Sequence, residues 1–230
     1  SEKRTGKENG VRMNIKACIF DLDGTLLSTL ETIAYYGNRA LAMHGFPSIE
    51  TEKYKYLVGN GARILVERML REIGAFSAEN FDAVYRDYMH MYDEKPLYLT
   101  APYAHIEEML KELKSRGIRL AVLSNKPDSA VRPTVEAFFP GVFDFVRGST
   151  DNRPLKPAPD GVWDIMKMLQ LRTDEVLYIG DTAVDMDTGH NAGLFAAGCL
   201  WGFRTREELT EHKADALLAD PRDILQYIRG

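Results

Sequence analysis

Four short polar clusters hold the residue types from which chemistry could be built: Asp21-Leu22-Asp23-Gly24-Thr25, Ser124-Asn125, Lys156-Pro157 and Gly180-Asp181-Thr182-Ala183-Val184-Asp185. Each is ordinary by itself. D-x-D is common in loops, a Ser-Asn pair usually opens a turn, and a lone lysine is usually a solvated charge. Together they contain what phosphoryl transfer needs, because that reaction is catalysed mainly by positioning and by neutralising charge. A carboxylate nucleophile can attack phosphorus and split hydrolysis into two easier steps. Several carboxylates in one place repel one another and need a cation, and oxygen ligands without His or Cys select Mg2+. A lysine and a hydroxyl would then hold the remaining phosphoryl oxygens.

For these clusters to meet, the fold must bring them to one edge. The run K-A-C-I-F-D at 16–21 is mostly apolar and ends in a turn, as a buried parallel strand does. Beyond a Pro-bearing return segment at 95–102, the pattern predicts helix 104–115, strand 118–123, helix 128–138, strand 143–147, helix 160–169, strand 176–179, helix 183–191 and strand 195–200. A short edge strand at 214–218 and a closing helix at 221–229 complete the reading. This alternation predicts an α/β fold, a Rossmann-like doubly wound parallel sheet. Open sheets of this kind bind ligands outside the carboxyl ends of their strands, and all four clusters fall at or just past such ends. Between the first strand and the rest lies a helical insert from about 29 to 95. Its apolar residues recur at helical spacing (Ile33, Tyr36, Ala40, Met43; Ile64, Leu65, Arg68, Met69), and breaks at 45–47, 59–61 and 74 divide it into roughly four helices. The domain reading is therefore 13–28 with 96–230 as the α/β core and 29–95 as the insert. Residues 1–12 are polar, lack apolar periodicity and read as a disordered arm or a non-native extension.

The 230 residues are 45% hydrophobic and 27% charged, with a formal net charge of −5. Such a chain can bury a sizeable core without disulfides or a structural metal. Mild acidity with no basic block argues against a nucleic-acid partner. No apolar run reaches the roughly eighteen residues of a membrane span, so a soluble, cytoplasmic protein is expected, as monomer or homodimer. Cys18 and Cys199 lie in short apolar stretches and read as buried reduced thiols. The five histidines have no partner at zinc-ligand spacing.

The chain resembles the haloacid dehalogenase superfamily of phosphatases. The resemblance covers 15–230 and rests on F-D-L-D-G-T-L at 20–26, with the other three clusters in the family's order and spacing: 103 residues from 21 to 124, 32 from 124 to 156 and 25 from 156 to 181. The first interval is long because it contains the insert, which corresponds to the family's helical cap. Carried over, the resemblance makes Asp21 the nucleophile, Asp23 the general acid and then base with its backbone carbonyl on the metal, Ser124 a phosphoryl ligand, and Lys156 the counter-charge. It makes Asp181 a direct Mg2+ ligand and gives Asp185 either the metal's water shell or Lys156. Thr25 and Asn125 are expected at the phosphate loop and as backbone-positioning residues. The expected partner is a small-molecule phosphate ester.

Within the superfamily, V-G-N-G-A at 58–62 and W-G-F-R at 201–204 resemble the phosphoglycolate phosphatases. A helix start at Gly59-Asn60-Gly61 would offer free N–H groups to an anionic substrate, with Arg63 just beyond; a glycine-flexed turn capped by Asn60 is the other reading. Ser28-Thr29 and Tyr103-Ala104-His105 depart from the family's usual sequence at the two junctions with the insert. Tyr85, Tyr88, Met89 and Tyr92 have helical spacing and read as cap core. Three other functions remain open: a dehalogenase, against which Asp23 and the Asp181/Asp185 pair argue; a phosphomutase of the β-phosphoglucomutase type; and a non-catalytic phosphate-binding regulatory module.

Overall fold

Every residue of the first strand, β1 (Ala17–Phe20), is buried, which requires layers on both faces of its sheet. The computed structural model describes residues 12–229. Apart from Arg12, the segment expected to be an arm lies outside them. After β1 the chain forms the two-residue β2 (Leu27–Ser28) and enters the insert: α1 (Leu30–Met43), a single 3-10 turn (Thr51–Lys53), α2 (Tyr54–Leu57), α3 (Ala62–Glu72) and α4 (Ala78–Glu94). It returns through β3 (Ala101–Pro102), antiparallel to β2, so the two strands crossing between insert and core are hydrogen-bonded to each other. There follow α5 (Ile106–Ser115), β4 (Arg119–Pro127), α6 (Asp128–Phe138), β5 (Phe145–Ser149), α7 (Asp160–Leu169), β6 (Val176–Gly180), α8 (Ala183–Asn191), β7 (Phe195–Cys199), α9 (Arg206–Glu211) and β8 (Ala216–Leu218).

The main sheet is parallel in the order β5-β4-β1-β6-β7-β8, with β1 in the middle. Period-two alternation divides its side chains between two cores. Cys18 and Phe20 pack with Leu120, Val122, Leu177 and Ile179 on one face; Ala17 and Ile19 pack with Ala121, Leu123, Val176 and Tyr178 on the other. The insert has its own buried cluster, built on Ile33, Tyr36, Tyr54, Met69, Tyr88 and Tyr92. Among the described residues only Phe203 joins that cluster from the α/β part.

The structure departs from the sequence reading in several places, among them α9, where no element was read, and β5, read as 143–147. The closing segment is a 3-10 helix (Pro221–Tyr227), tightened by reciprocal bonds between Asp220 and Asp223 at its start. β4 continues through Ser124 and Asn125 to Pro127, with a register shift after Leu123 of the kind that re-aims side chains at a sheet edge. Met43 is 60% and Ile64 36% exposed, because each lies where its helix's apolar stripe has rotated out of the insert's core. Both cysteines are free and buried. Among the described residues no helix is long and apolar enough to cross a membrane.

Asn38 pins the insert's first turn. Its amide donates to Ile49 O and accepts from Ile49 N, both at 2.8 Å, and the buried Tyr54 hydroxyl donates to its Oδ1 at 3.0 Å. Asn38→Ala leaves all three groups unpaired, so stability should fall by roughly 2–4 kcal/mol. A lower urea midpoint at unchanged m-value checks this.

Candidate active site

Asp21 is the first residue past β1, and its N–H still bonds to Ile179 O in the sheet ladder at 2.9 Å. Its Oδ1 accepts from Leu22 N at 2.7 Å and meets the Lys156 Nζ at 3.0 Å. The same ammonium lies 2.7 Å from Asp185 Oδ1. Asp185 is fully buried and heavily bonded: Thr182 N and Oγ1 donate to its Oδ2 at 3.1 and 2.9 Å, Asp181 N at 3.2 Å, and Tyr178 Oη to its Oδ1 at 3.2 Å. This is local sequence at work, since Thr182 and Asp185 form the capping box that starts α8. Gly180 is required beside it, because a Cβ there would overlap the Asp185 carboxylate.

Asp181 is held from the opposite side. Thr25 Oγ1 donates to it at 2.9 Å and Phe203 N at 2.8 Å. Gly24, at φ +85°, and Gly202 both press against its carboxylate with no room for a Cβ, which explains a glycine in each of D-G-T and W-G-F. Asn125 completes the frame: its Oδ1 accepts from Lys156 N at 2.8 Å, and its Nδ2 faces Lys156 O at 3.1 Å and Gly59 O of the insert at 3.2 Å.

Asp21, Asp181 and Asp185 each bring one carboxylate oxygen within 4.8 Å of the others, all buried. Three carboxylates face one lysine. Burial, then Asp185, push the Asp21 carboxyl well above its ordinary value despite Lys156. Burial and Asp185 likewise push Asp181 up to about 7, against the Phe203 and Thr25 donors. An all-oxygen, electron-rich pocket of this kind fits a hard divalent cation, whose charge would relieve the repulsion. The carboxylate of Asp23 is not in this group; it turns away to Lys126 Nζ at 2.8 Å.

Above the carboxylates lies a cavity floored by Asp21, Asp23, Ser124 and Lys156 and roofed by insert residues including Gly59, Gly61 and Ala62. Two residues expected there face elsewhere. Asn60 Oδ1 accepts from Arg68 at 2.9 Å, and Arg63 is exposed, stacked over Phe81 and Tyr85 at 5.0 and 5.1 Å. Asn60 and Arg63 are taken up by these contacts, and the residues of this stretch that line the cavity are Gly59, Gly61 and Ala62. Gly61 (φ +88°) lies close against the Asn125 carbonyl. Thr25 is buried beneath the site as an Asp181 ligand and does not line the cavity. His105 sits outside it, near Glu108 and Asp220. Thr29 is buried at the N-cap of α1 with its hydroxyl unpaired. Tyr88 and Tyr92 belong to the insert's core and also line the cavity. Lys126 also lines it, and the sequence reading missed this residue because a lysine after Ser-Asn looks solvated. The available signal was its place next to Ser124-Asn125 at the carboxyl end of a predicted strand.

Residues 18–199 match the model of the haloacid dehalogenase-like hydrolases. The chain belongs to that family. This hydrolase is 30% identical to a phosphoglycolate phosphatase of Aquifex aeolicus over 215 residues, 93% of this chain and 97% of the relative. It is 31% identical to that of Pasteurella multocida, covering 91% and 96%. A crystal structure of a candidate phosphoglycolate phosphatase from Lactobacillus delbrueckii superposes with a TM-score of 0.90 at 30% identity, covering 95% of this chain and all of that one. The family resemblance read from the four clusters is therefore correct, and so is the fold.

The raised Asp181 value has a measurable consequence. A carboxyl with a higher pKa folded than unfolded binds more protons in the native state, so its contribution to stability falls as pH rises from about 4 to about 7. The EDTA-treated hydrolase should lose melting temperature between about pH 5.5 and about pH 7.5. Asp181→Asn should narrow that difference, and Mg2+ should largely abolish it in the unsubstituted protein; calorimetry at both pH values reads all three.

Proposed function

We propose that the protein is a Mg2+-dependent phosphatase that hydrolyses a small phosphate monoester through an aspartyl-phosphate intermediate. The observation that carries this is the buried cluster of Asp21, Asp181 and Asp185 around Lys156, placed at the floor of a cavity that also receives Asp23 and Ser124. Asp21 with Asp181, and the Asp23 carbonyl, would hold the metal, with Asp185 in support. When bound, the cation supplies charge neutralisation to the phosphoryl oxygens and the carboxylates around them.

An Asp21 oxygen attacks phosphorus as the bond from phosphorus to the alcohol oxygen breaks. Asp23, protonated, gives that oxygen its proton. In the second half Asp23, now a carboxylate, takes a proton from water as the water oxygen attacks phosphorus and the bond to Asp21 breaks, releasing inorganic phosphate. Ser124 and Lys156 hold the equatorial oxygens in both halves. Residues 29–95 act as the cap that selects the rest of the substrate. Coverage of relatives called phosphoglycolate phosphatases along nearly their whole length supports 2-phosphoglycolate as the first substrate to test.

Asp21→Asn keeps size and removes the nucleophile, so phosphate release in saturating Mg2+ should fall at least about a thousandfold, with the circular dichroism spectrum retained. A larger residual rate would refute the nucleophile assignment. EDTA should abolish turnover and Mg2+ restore it. Ca2+ should restore it poorly, because its longer bonds and higher coordination displace Asp21 from in-line attack.

A further inference from the structure

The wall of the cavity is mostly carbon, with Ile33, Val58, Leu65 and Met89 from the insert and Ala130 and Phe203 from the α/β part. Tyr88, Tyr92, Asp93 and Lys126 interrupt it without a part in the chemistry above, and of these Lys126 and Tyr92 meet each other. Lys126 has a side chain only 9% exposed, with Nζ 2.8 Å from Asp23 Oδ1 and 4.8 Å from the centroid of the Tyr92 ring. Burial works against its charge, but Asp23 and then Tyr92 more than offset this and push the ammonium above its ordinary value. Tyr92, near the end of α4, is 4% exposed, and its hydroxyl lies beside the Lys126 ammonium, a donor only, so its own O–H has no acceptor among the described residues.

Neither arrangement is explained by folding alone. A buried phenol whose O–H finds no acceptor is destabilising, and phenylalanine would pack the same ring without that loss. A buried lysine whose partner is the acid of the reaction holds that acid away from the leaving oxygen. Both features are resolved by one ligand: an anion that accepts from Nζ and from the Tyr92 hydroxyl. In resting on the phosphatase reading, the inference also narrows it. We propose that Lys126 and Tyr92 form a subsite for a second anionic group of the substrate, and that this group takes Lys126 over from Asp23.

The geometry limits the substrate class. Asp23 must reach the leaving oxygen and is itself in contact with Lys126, so the second anion lies only a few bonds from that oxygen. A phosphorylated short hydroxy acid satisfies this. An alkyl phosphate of the same length without a carboxylate does not, and it leaves Asp23 clamped. Because Tyr92 comes from the insert and Lys126 from β4, the subsite is complete only when the insert lies over the core. The second anion thus connects closure to the release of Asp23.

The test compares 2-phosphoglycolate with ethyl phosphate, using the full chain in saturating Mg2+ and p-nitrophenyl phosphate as a control. Tyr92→Phe preserves the ring and should lower kcat/KM for 2-phosphoglycolate about five- to tenfold relative to ethyl phosphate, mostly through KM. Lys126→Met should collapse the same ratio at least about thirtyfold, and kcat for ethyl phosphate should rise as Asp23 is released. Equal losses on both esters in either variant, or an unaltered preference in both, would overturn the subsite. If Lys126→Met fails to fold, the Tyr92→Phe ratio decides alone. Should the unsubstituted protein release no phosphate from any of the three esters, the phosphatase reading itself fails and takes the subsite with it. Hydrolysis of all three with a preference indifferent to both substitutions sinks the subsite only.

Discussion

The Lys156 ammonium lies 3.0 Å from Asp21 and 2.7 Å from Asp185, with Asp181 close by, where almost no water reaches. Enclosing three carboxylates with one cation is costly, since desolvation of buried charges can exceed their mutual attraction. The surrounding structure compensates with hydrogen bonds aimed at each oxygen. Asp185 takes the α8 capping box and the Tyr178 hydroxyl, Asp181 takes Thr25 and the Phe203 N–H, and Asp21 takes the Leu22 N–H. Asn125 fixes the Lys156 main chain from both sides. Much of the carboxyl edge of the sheet is built around this one concentration of negative charge, and the charge that it leaves unbalanced is what the proposed divalent cation would neutralise.

The loop after β7 joins this electrostatic centre to the insert. Trp201 Nε1 donates to Thr25 O at 2.9 Å, Gly202 leaves space for Asp181, and Phe203 N donates to Asp181. The Phe203 side chain enters the insert's apolar cluster, and Arg204 donates to Val58 O at 3.1 Å. Four consecutive residues thus connect the first strand's loop, an acidic residue of the site and the roof of the cavity. Together with Asn125 facing Gly59, they couple the position of the insert to the carboxylates beneath it.

Much of this was legible in the sequence because it is encoded locally. The apolar run of β1, the glycine breaks of the insert and the order of the four clusters are short-range patterns. Two segments were less readable for the same reason. In the closing segment, near-neighbour bonds chose 3-10 over α geometry. At the end of β4, a register shift carried the strand through residues that read as a turn.

The amino-acid sequence by itself determined the parallel α/β core, the helical insert and which acidic residues could share a cation, since the strands, their ends and the α/β alternation are short-range patterns. Only the tertiary structure decided where side chains on the insert point. Asn60 and Arg63 turned to Arg68 and to the Phe81 and Tyr85 rings, whereas Tyr92 and the overlooked Lys126 came together over Asp23. The reason is physical: those orientations depend on packing between separate elements, helix on helix within the insert and helix on strand for Tyr92 and Lys126, and no spacing within one segment specifies the angle at which two elements meet.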